Sequence, residues 1–296
     1  MSKPEKMSVR EMFARFPTDE ACLDHIMEVR FGGTTFDCPK CGKYGRFNRL
    51  ANVRAYACSS CGHHVHPTAG TILLDTRTPL PSWFYAMYLF ATTRHGVSGK
   101  ELERTLGVTY KTAWRMGQKI RELAGKADHF EDLLSGHVEL DEAYIGGRRS
   151  GGKRGRGAPG KTIVMGLIER DGRIATEVIP DVKKTTLRNV VLTNVEPGTT
   201  VSTDELMSYG LLTGDGYQHG TVSHGKKEWS YYDYGHKVQH HVNHVESFWK
   251  LFKASIRGTH VHISEKYMSR YLDEFTFRQN HRHRGNAMFD LLVGAL

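Results

Sequence analysis

Long apolar runs are missing from this 296-residue chain. No segment reaches the ~18 consecutive apolar residues of a membrane-spanning helix, so no span is expected. The opening stretch, "MSKPEKMSVREMFARF", has no apolar h-region, and a secretory leader is not expected there either. Cysteine is scarce and odd in number, five in all, which argues against a disulfide framework and for thiol chemistry in a reducing compartment. Acids are in deficit: 41 Lys and Arg against 32 Asp and Glu give a formal charge of +9, with 17 histidines besides and a pI near 9.3. That balance fits a polyanionic partner, most often nucleic acid, with a merely basic enzyme as the alternative. Internal repeats and long low-complexity tracts are also absent.

Four of the five cysteines fall into two C-x-x-C pairs, Cys38–Cys41 and Cys58–Cys61, separated by sixteen residues. Four thiolates so spaced suit one tetrahedral zinc ion, and Gly42 and Gly62 follow each pair where a tight turn is needed. A structural zinc ribbon is therefore expected over residues 34–76. Its segment "NRLANVRAYAC" reads as one strand bearing Arg49 and Arg54, and His63, His64 and His66 read as solvated neighbours of a closed site. Before it, residues 1–33 read as a helical segment broken at Pro17, in which Cys22 shares an apolar face with Ile26 and Met27.

Residues 79–126 carry helical periodicity. "PLPSWFYAMYLFATTRHG" is an apolar helix expected to end near Gly96, and "VSGKELERTLG" follows with Ser98 and Glu101 in capping-box spacing. A third helix opens at Thr109, with Ala113, Met116, Ile120 and Leu123 facing inward. Lys111, Arg115 and Lys119 make an outward basic stripe. Two short helices with a basic second one fit a helix-turn-helix, although most helix pairs do not bind DNA.

From residue 133 to 296 the pattern turns to strands and then helices. "HVELDEAYIGG" reads as a strand with Glu139 and Asp141 on one face, Val138 and Leu140 on the other, and Glu142 turned away from Asp141. The glycine-rich stretch after it, with Arg148, Arg149, Lys153, Arg154 and Arg156, reads as a mobile basic loop, either a flexible linker whose charge only aids solubility or a loop that orders on phosphates. A hairpin turning at Asp171-Gly172, a helix over "KTTLRNVVLTNV" and a strand before Asp204 follow. "QHHVNHVESFWKLFKASI" reads as an amphipathic helix with Val242, Val245, Trp249, Phe252 and Ile256 inward and Glu246 on a neighbouring stripe. His236, His240, His241 and His244 before it read as surface or phosphate-contacting groups, one of them a possible proton shuttle.

Asp141, Asp204 and Glu246, from strand, strand and helix, can meet at one sheet edge. Clustered carboxylates repel unless cations bind between them, and hard oxygen donors select Mg²⁺ or Mn²⁺. Two such ions about 4 Å apart serve phosphoryl transfer. Taken singly each acid has a plainer reading: Asp204 as a helix-terminal acid, Glu246 as a partner for Lys250.

"TAGTILLDTRTPLPSWFYAMYLF", "VELDEAYIGGR", "VSTDELMSYGLL" and "HHVNHVESFWKLFKASIRGTH", in that order after a zinc ribbon, resemble insertion-sequence DDE transposases of the zinc-ribbon, ISXO-like type. The resemblance runs from about Phe13 to Arg278. It implies an α/β chain with an RNase H-like catalytic domain, a mixed five-stranded sheet with flanking helices, behind a zinc ribbon and a helix-turn-helix. It implies Mg²⁺-dependent cutting and joining of double-stranded DNA at the ends of a mobile element, by a homodimer or larger synaptic complex in the bacterial cytoplasm. By position, Asp141, Asp204 and Glu246 match the three acids and Lys253 the lysine two helical turns later. Asn243 is the alternative third residue and Glu139 an auxiliary or outer-shell acid. A DNA-binding regulator without catalysis, or a related nuclease or resolvase, are the rival readings.

Overall fold

The computed structural model describes residues 7–146, 160–170, 172–285 and 287–296. The chain divides into two compact units, Met1–Ala127 with His281–Leu296, and Asp128–Asn280. The C-terminal stretch, read from the sequence as the end of the catalytic domain, thus belongs to the first unit.

In the first unit, α1 (Val9–Arg15) and α2 (Asp19–Phe31) flank Pro17. Ser8 and Glu11 cap α1 reciprocally, and the Thr18 hydroxyl accepts the Ala21 N–H at 3.3 Å to start α2. Cys22 is fully buried among Leu23, Ile26 and Met27, as its apolar face requires. The ribbon is a four-stranded sheet in the order β1 (Thr35–Asp37), β2 (Tyr44–Arg49), β3 (Tyr56–Cys58), β4 (His64–Val65). "NRLANVRAYAC" is therefore two antiparallel strands rather than one, with Arg54 in the turn between them. There Arg54 pairs with Asp19 and donates to the Thr76 carbonyl at 2.8 Å, so its charge is spent inside the unit.

Next come α3 (Leu80–Thr92), which ends four residues before the expected Gly96, α4 (Gly99–Leu106) and α5 (Tyr110–Ala127). The Ser98 hydroxyl caps α4, accepting the Glu101 N–H at 3.1 Å. Ala113, Met116 and Ile120 are wholly buried, and Leu123 all but so.

The second unit is built on a five-stranded sheet in the order β7-β6-β5-β8-β9. Its strands are β5 (His137–Ile145), β6 (Thr162–Glu169), β7 (Ile174–Ile179), β8 (Thr200–Thr203) and β9 (Gln218–Thr221). β5, β6 and β7 run antiparallel, and β8 and β9 join parallel to β5, so the sheet is mixed as expected. β6 and β7 form the expected hairpin, although Asp171 at its turn lies outside the described residues. One face carries α6 (Lys184–Asn194): Val138 and Leu140 pack there against Leu187 and Val191. The other face carries α7 (Asn243–Ser255) and α8 (Met268–His281): Ala143 and Ile145 pack there with Val245, Trp249, Phe252 and Phe275. A small hairpin, β10 (Tyr231–Asp233) with β11 (Val238–His240), leads into α7, so residues 239–242 are not helical as the periodicity suggested. The last helix, α9 (Ala287–Gly294), closes the first unit by packing on α3 and α5.

One glycine decides how near α7 lies to the sheet. Gly166 on β6 is the cross-strand partner of Asp141, and a Cβ there would stand 2.7 Å from Trp249 Cζ2. Gly166→Ala is expected to push α7 outward and to cost about 1–3 kcal/mol by overpacking. Urea unfolding checks it; an unchanged midpoint would show that Trp249 has room to yield.

Candidate active site

β5 is buried on both faces, so its acids must be compensated. Glu139 and Asp141 face α7, two residues apart on one pleat. Glu142 turns to the α6 side, as expected. There it faces the Tyr209 phenol, whose pKa burial, first, and then the Glu142 charge raise well above the ordinary value.

Asp204 follows the end of β8 directly. The parallel register Val138↔Val201, Glu139↔Ser202, continued by two residues, brings Asp204 beside Asp141 on the neighbouring strand. Its Oδ1 accepts the Leu206 N–H at 2.9 Å, which orients a carboxylate that is only 8% exposed. Glu246 lies in the first turn of α7, above Val245 in the core. Asp141 senses all of these. Burial first, then the charges of Glu142 and Asp204, and lastly Glu246, push its carboxyl up to about 7, against the pull of a backbone N–H at Glu142. Asp141 thus feels the charges of both Asp204 and Glu246. Asn243, the alternative third residue, is exposed at the first position of α7.

Lys253 is exposed along much of its side chain, yet desolvation lowers its pKa, with the Asp141 charge opposing and Lys161 and Arg257 reinforcing. Lys161 and Arg257 therefore share the neighbourhood of Lys253 and were not singled out from the sequence. Arg257 could have been found, since it follows Lys253 by one helical turn. His224 was missed too. Its Nδ1 lies 3.6 Å from Glu246 Oε1 and its ring packs on Trp229 with centroids 4.8 Å apart. It sits in an irregular polar stretch, where no periodicity marks a side chain's direction.

The histidines before α7 do not share one role. His240 is buried, not on the surface; its Nδ1 is 2.8 Å from Ser202 Oγ, which is also 2.7 Å from His137 Nε2. His236 is exposed and meets Asp233 at 2.8 Å. Burial, first, pulls His137 and His219 down to about 4. Between pH 4 and 6.5 the unfolded chain then binds more protons, so these groups stabilise the fold above that window and the stability is lost as pH falls through it. The raised Asp141 carboxyl acts in the opposite sense. Thermal melts of Asp141→Asn are therefore expected to show Tm falling from pH 7 to pH 4. An equal slope in Asp141→Asn with His219→Asn added would remove His219 from that account.

In the ribbon, the four sulfurs of Cys38, Cys41, Cys58 and Cys61 all lie within 4.8 Å of one another, with Cys38 and Cys61 at 3.7 Å. A tetrahedral site with Zn–S near 2.3 Å needs sulfurs about 3.8 Å apart, so the donor set fits zinc in geometry as well as softness. Gly42 and Gly62 take φ of 67° and 70° and donate their N–H groups to the carbonyls of Cys38 and Cys58, which closes each knuckle.

Lys111 and Arg115 on α5 are exposed and share a depression with Arg77 and Thr78. Lys119 differs from its expected role: half-buried, it donates to the Ile72 carbonyl at 3.1 Å. Arg148, Arg149, Lys153, Arg154 and Arg156 lie outside the described residues. Among the described residues no helix is long and apolar enough to cross a membrane.

Comparison with known families agrees with the two halves of this description. Residues 17–64 match a transposase zinc-ribbon domain, the span that holds the four thiols. Residues 133–280 match an ISXO2-like transposase domain, the span that holds the five-stranded sheet, the acids and Lys253. No curated protein matches the chain. The second match covers half of the sequence, and the chain belongs to the DDE transposases with an ISXO2-like domain behind a zinc ribbon.

Proposed function

We propose that this transposase binds the terminal inverted repeats of an insertion sequence, cleaves a phosphodiester at the element end, and joins the freed 3′-hydroxyl to target DNA. The observation that carries the reading is the convergence of acids on Asp141: Asp204 stands beside it in register, and burial, first, and then the charges of Glu142, Asp204 and Glu246 raise its carboxyl to about 7. Oxygen donors in mutual repulsion are the donor set for Mg²⁺ or Mn²⁺. Asp141, Asp204 and Glu246 would hold the ions, which when bound activate the attacking oxygen and offset charge on the leaving one. Lys253, two turns after Glu246, would hold a phosphate of the strand being cut, with Lys161 and Arg257 adding positive charge. His224 would orient Glu246.

The division of labour follows the same logic. The ribbon at 34–76 and the helix-turn-helix at 79–126 would grip the element end, with Lys111 and Arg115 the foremost contacts and Lys119 in a supporting place. The basic stretch with Arg148, Arg149, Lys153, Arg154 and Arg156 would add phosphate contacts. Joining two ends requires at least two copies of the chain. A strand-transfer assay with Mg²⁺, an element-end duplex and a target duplex tests the reading. Joined product is expected; end binding without cutting or joining in Mg²⁺ or Mn²⁺ would favour a regulator, and cutting without joining a nuclease.

A further inference from the structure

Glu139 is the most deeply buried acid near the site, with no measurable exposure, yet it spends both oxygens on donors. Oε2 accepts the backbone N–H groups of His244 at 2.8 Å and Val245 at 3.3 Å. Oε1 accepts from Arg170 Nε at 3.1 Å and lies 2.8 Å from His244 Nδ1 and 2.9 Å from His241 Nδ1. His244 and Val245 form the first turn of α7, whose own N-cap residue, Val242, offers no side-chain acceptor. A helix leaves its first N–H groups without internal partners, and a carboxylate there is also favoured by the dipole. Glu139 therefore caps α7 from a different element. Arg170 completes the clamp: beyond Glu139, it donates to the carbonyls of Gln239 and His241, the residues that lead into the helix.

We infer that Glu139 is a positioning residue: it locks the strand carrying Asp141 to the helix turn carrying Glu246, and so sets the spacing of those two acids. The inference rests on the proposed DDE chemistry. Asp141 is two residues beyond Glu139 on the same strand face, and Glu246 is two residues beyond His244 on the same turn. A carboxylate suits the task because one oxygen serves the helix while the other serves Arg170 and the histidines. A glutamine would turn its NH₂ toward one of those donor sets. A separate metal centre of Glu139, His241 and His244, whose donor atoms lie within 4.8 Å of one another, is the weaker reading. The Arg170 guanidinium already supplies positive charge at the shared oxygen, and spacings of 2.8–2.9 Å are those of hydrogen bonds.

The test compares wild type, Asp141→Asn and Glu139→Gln as zinc-loaded full chains, with three readouts. Glu139→Gln should speed hydrogen exchange at the His244 and Val245 amides and leave the rest of α7 protected. Mn²⁺ affinity, followed by electron paramagnetic resonance, should fall about 10- to 100-fold, the usual effect of removing an outer partner of a metal site. Single-turnover cleavage at saturating DNA should fall likewise and recover in part with excess Mn²⁺, with half-saturation by DNA unchanged. Protected amides in Glu139→Gln overturn the inference. So does a loss as complete as in Asp141→Asn with no recovery by Mn²⁺, which would make Glu139 a ligand, or a bound ion lost in His241→Ala, which would establish the separate centre. Glu139→Asp keeps the charge but draws the oxygens back by one methylene; the same pattern is expected and decides the matter if Glu139→Gln does not fold. If wild type binds Mn²⁺ and never cuts DNA, the proposed function fails while exchange and Mn²⁺ affinity still judge Glu139.

Discussion

Asp141→Asn is expected to lower single-turnover cleavage of an element end by about 10³-fold or more, with end binding unchanged. Asparagine preserves the shape of the side chain and its neighbours on β5, so the sheet is not disturbed. What it removes is the charge that would hold divalent ions under the proposed chemistry, and their charge stabilisation is worth several kcal/mol at about 1.4 kcal/mol per decade of rate. A second signature follows from the raised carboxyl. Its folded pKa of about 7 lies above the unfolded value of 3.8, so the metal-free fold loses stability as pH rises through that window. Asp141→Asn should therefore be more stable than metal-free wild type at pH 8, by up to about 1.4 kcal/mol for each unit of the shift, and so melt higher. Wild type should gain Tm when Mg²⁺ is added, because binding stabilises only the folded state, and the variant should gain little. Gel-shift titration, single-turnover cleavage and melting at pH 8 with and without Mg²⁺ check all three. Cleavage within tenfold of wild type would remove Asp141 from the chemistry.

Much of the candidate site was legible in the sequence because its signals are periodic or spaced. Val138, Leu140 and the acids between them alternate on β5, and Val245, Trp249 and Phe252 repeat three and four apart on α7, so facing directions could be read before any contact was known. Cys38, Cys41, Cys58 and Cys61 announced the ribbon by spacing alone. Where the reading went astray, tertiary contacts overrode local pattern. "NRLANVRAYAC" is apolar enough for one strand, but Arg54 is drawn away to Asp19 and Thr76, and the chain turns there. His240 looked like a surface group because its neighbours are polar, yet β11 turns it onto Ser202. Lys119 sits on the outward stripe by count, and the Ile72 carbonyl claims it. Glu139 was legible as an acid on the right face but not as a cap, since its partners lie 105 and 106 residues away in sequence.

Stripping zinc, or changing Cys58→Ser, is expected to unfold the ribbon and abolish end binding while leaving the catalytic unit folded. The ribbon's strands run to six residues at most and share a thin apolar interior, of which the Phe36–Phe47 ring stack, centroids 4.2 Å apart, is a main part. Sheets so small rarely hold themselves together without a staple. Structural zinc supplies on the order of 10–16 kcal/mol of binding free energy in comparable peptides, far more than such a core provides. The fifth cysteine offers no substitute: burial, first, pushes the Cys22 thiol up to about 12, and the side chain lies on the buried face of α2. Tyr56 on β3 bonds Asp24 of α2, and Arg54 bonds Asp19, so loss of the ribbon should also loosen α2. Residues 128–280 have their own core on both faces of the sheet and should keep their Mg²⁺-dependent rise in Tm. Zinc stoichiometry, the melting profile and end affinity at two salt concentrations decide the case. One zinc per chain and undiminished end affinity in Cys58→Ser would mean that three sulfurs suffice; apo protein that still binds ends would assign recognition to α4 and α5 alone.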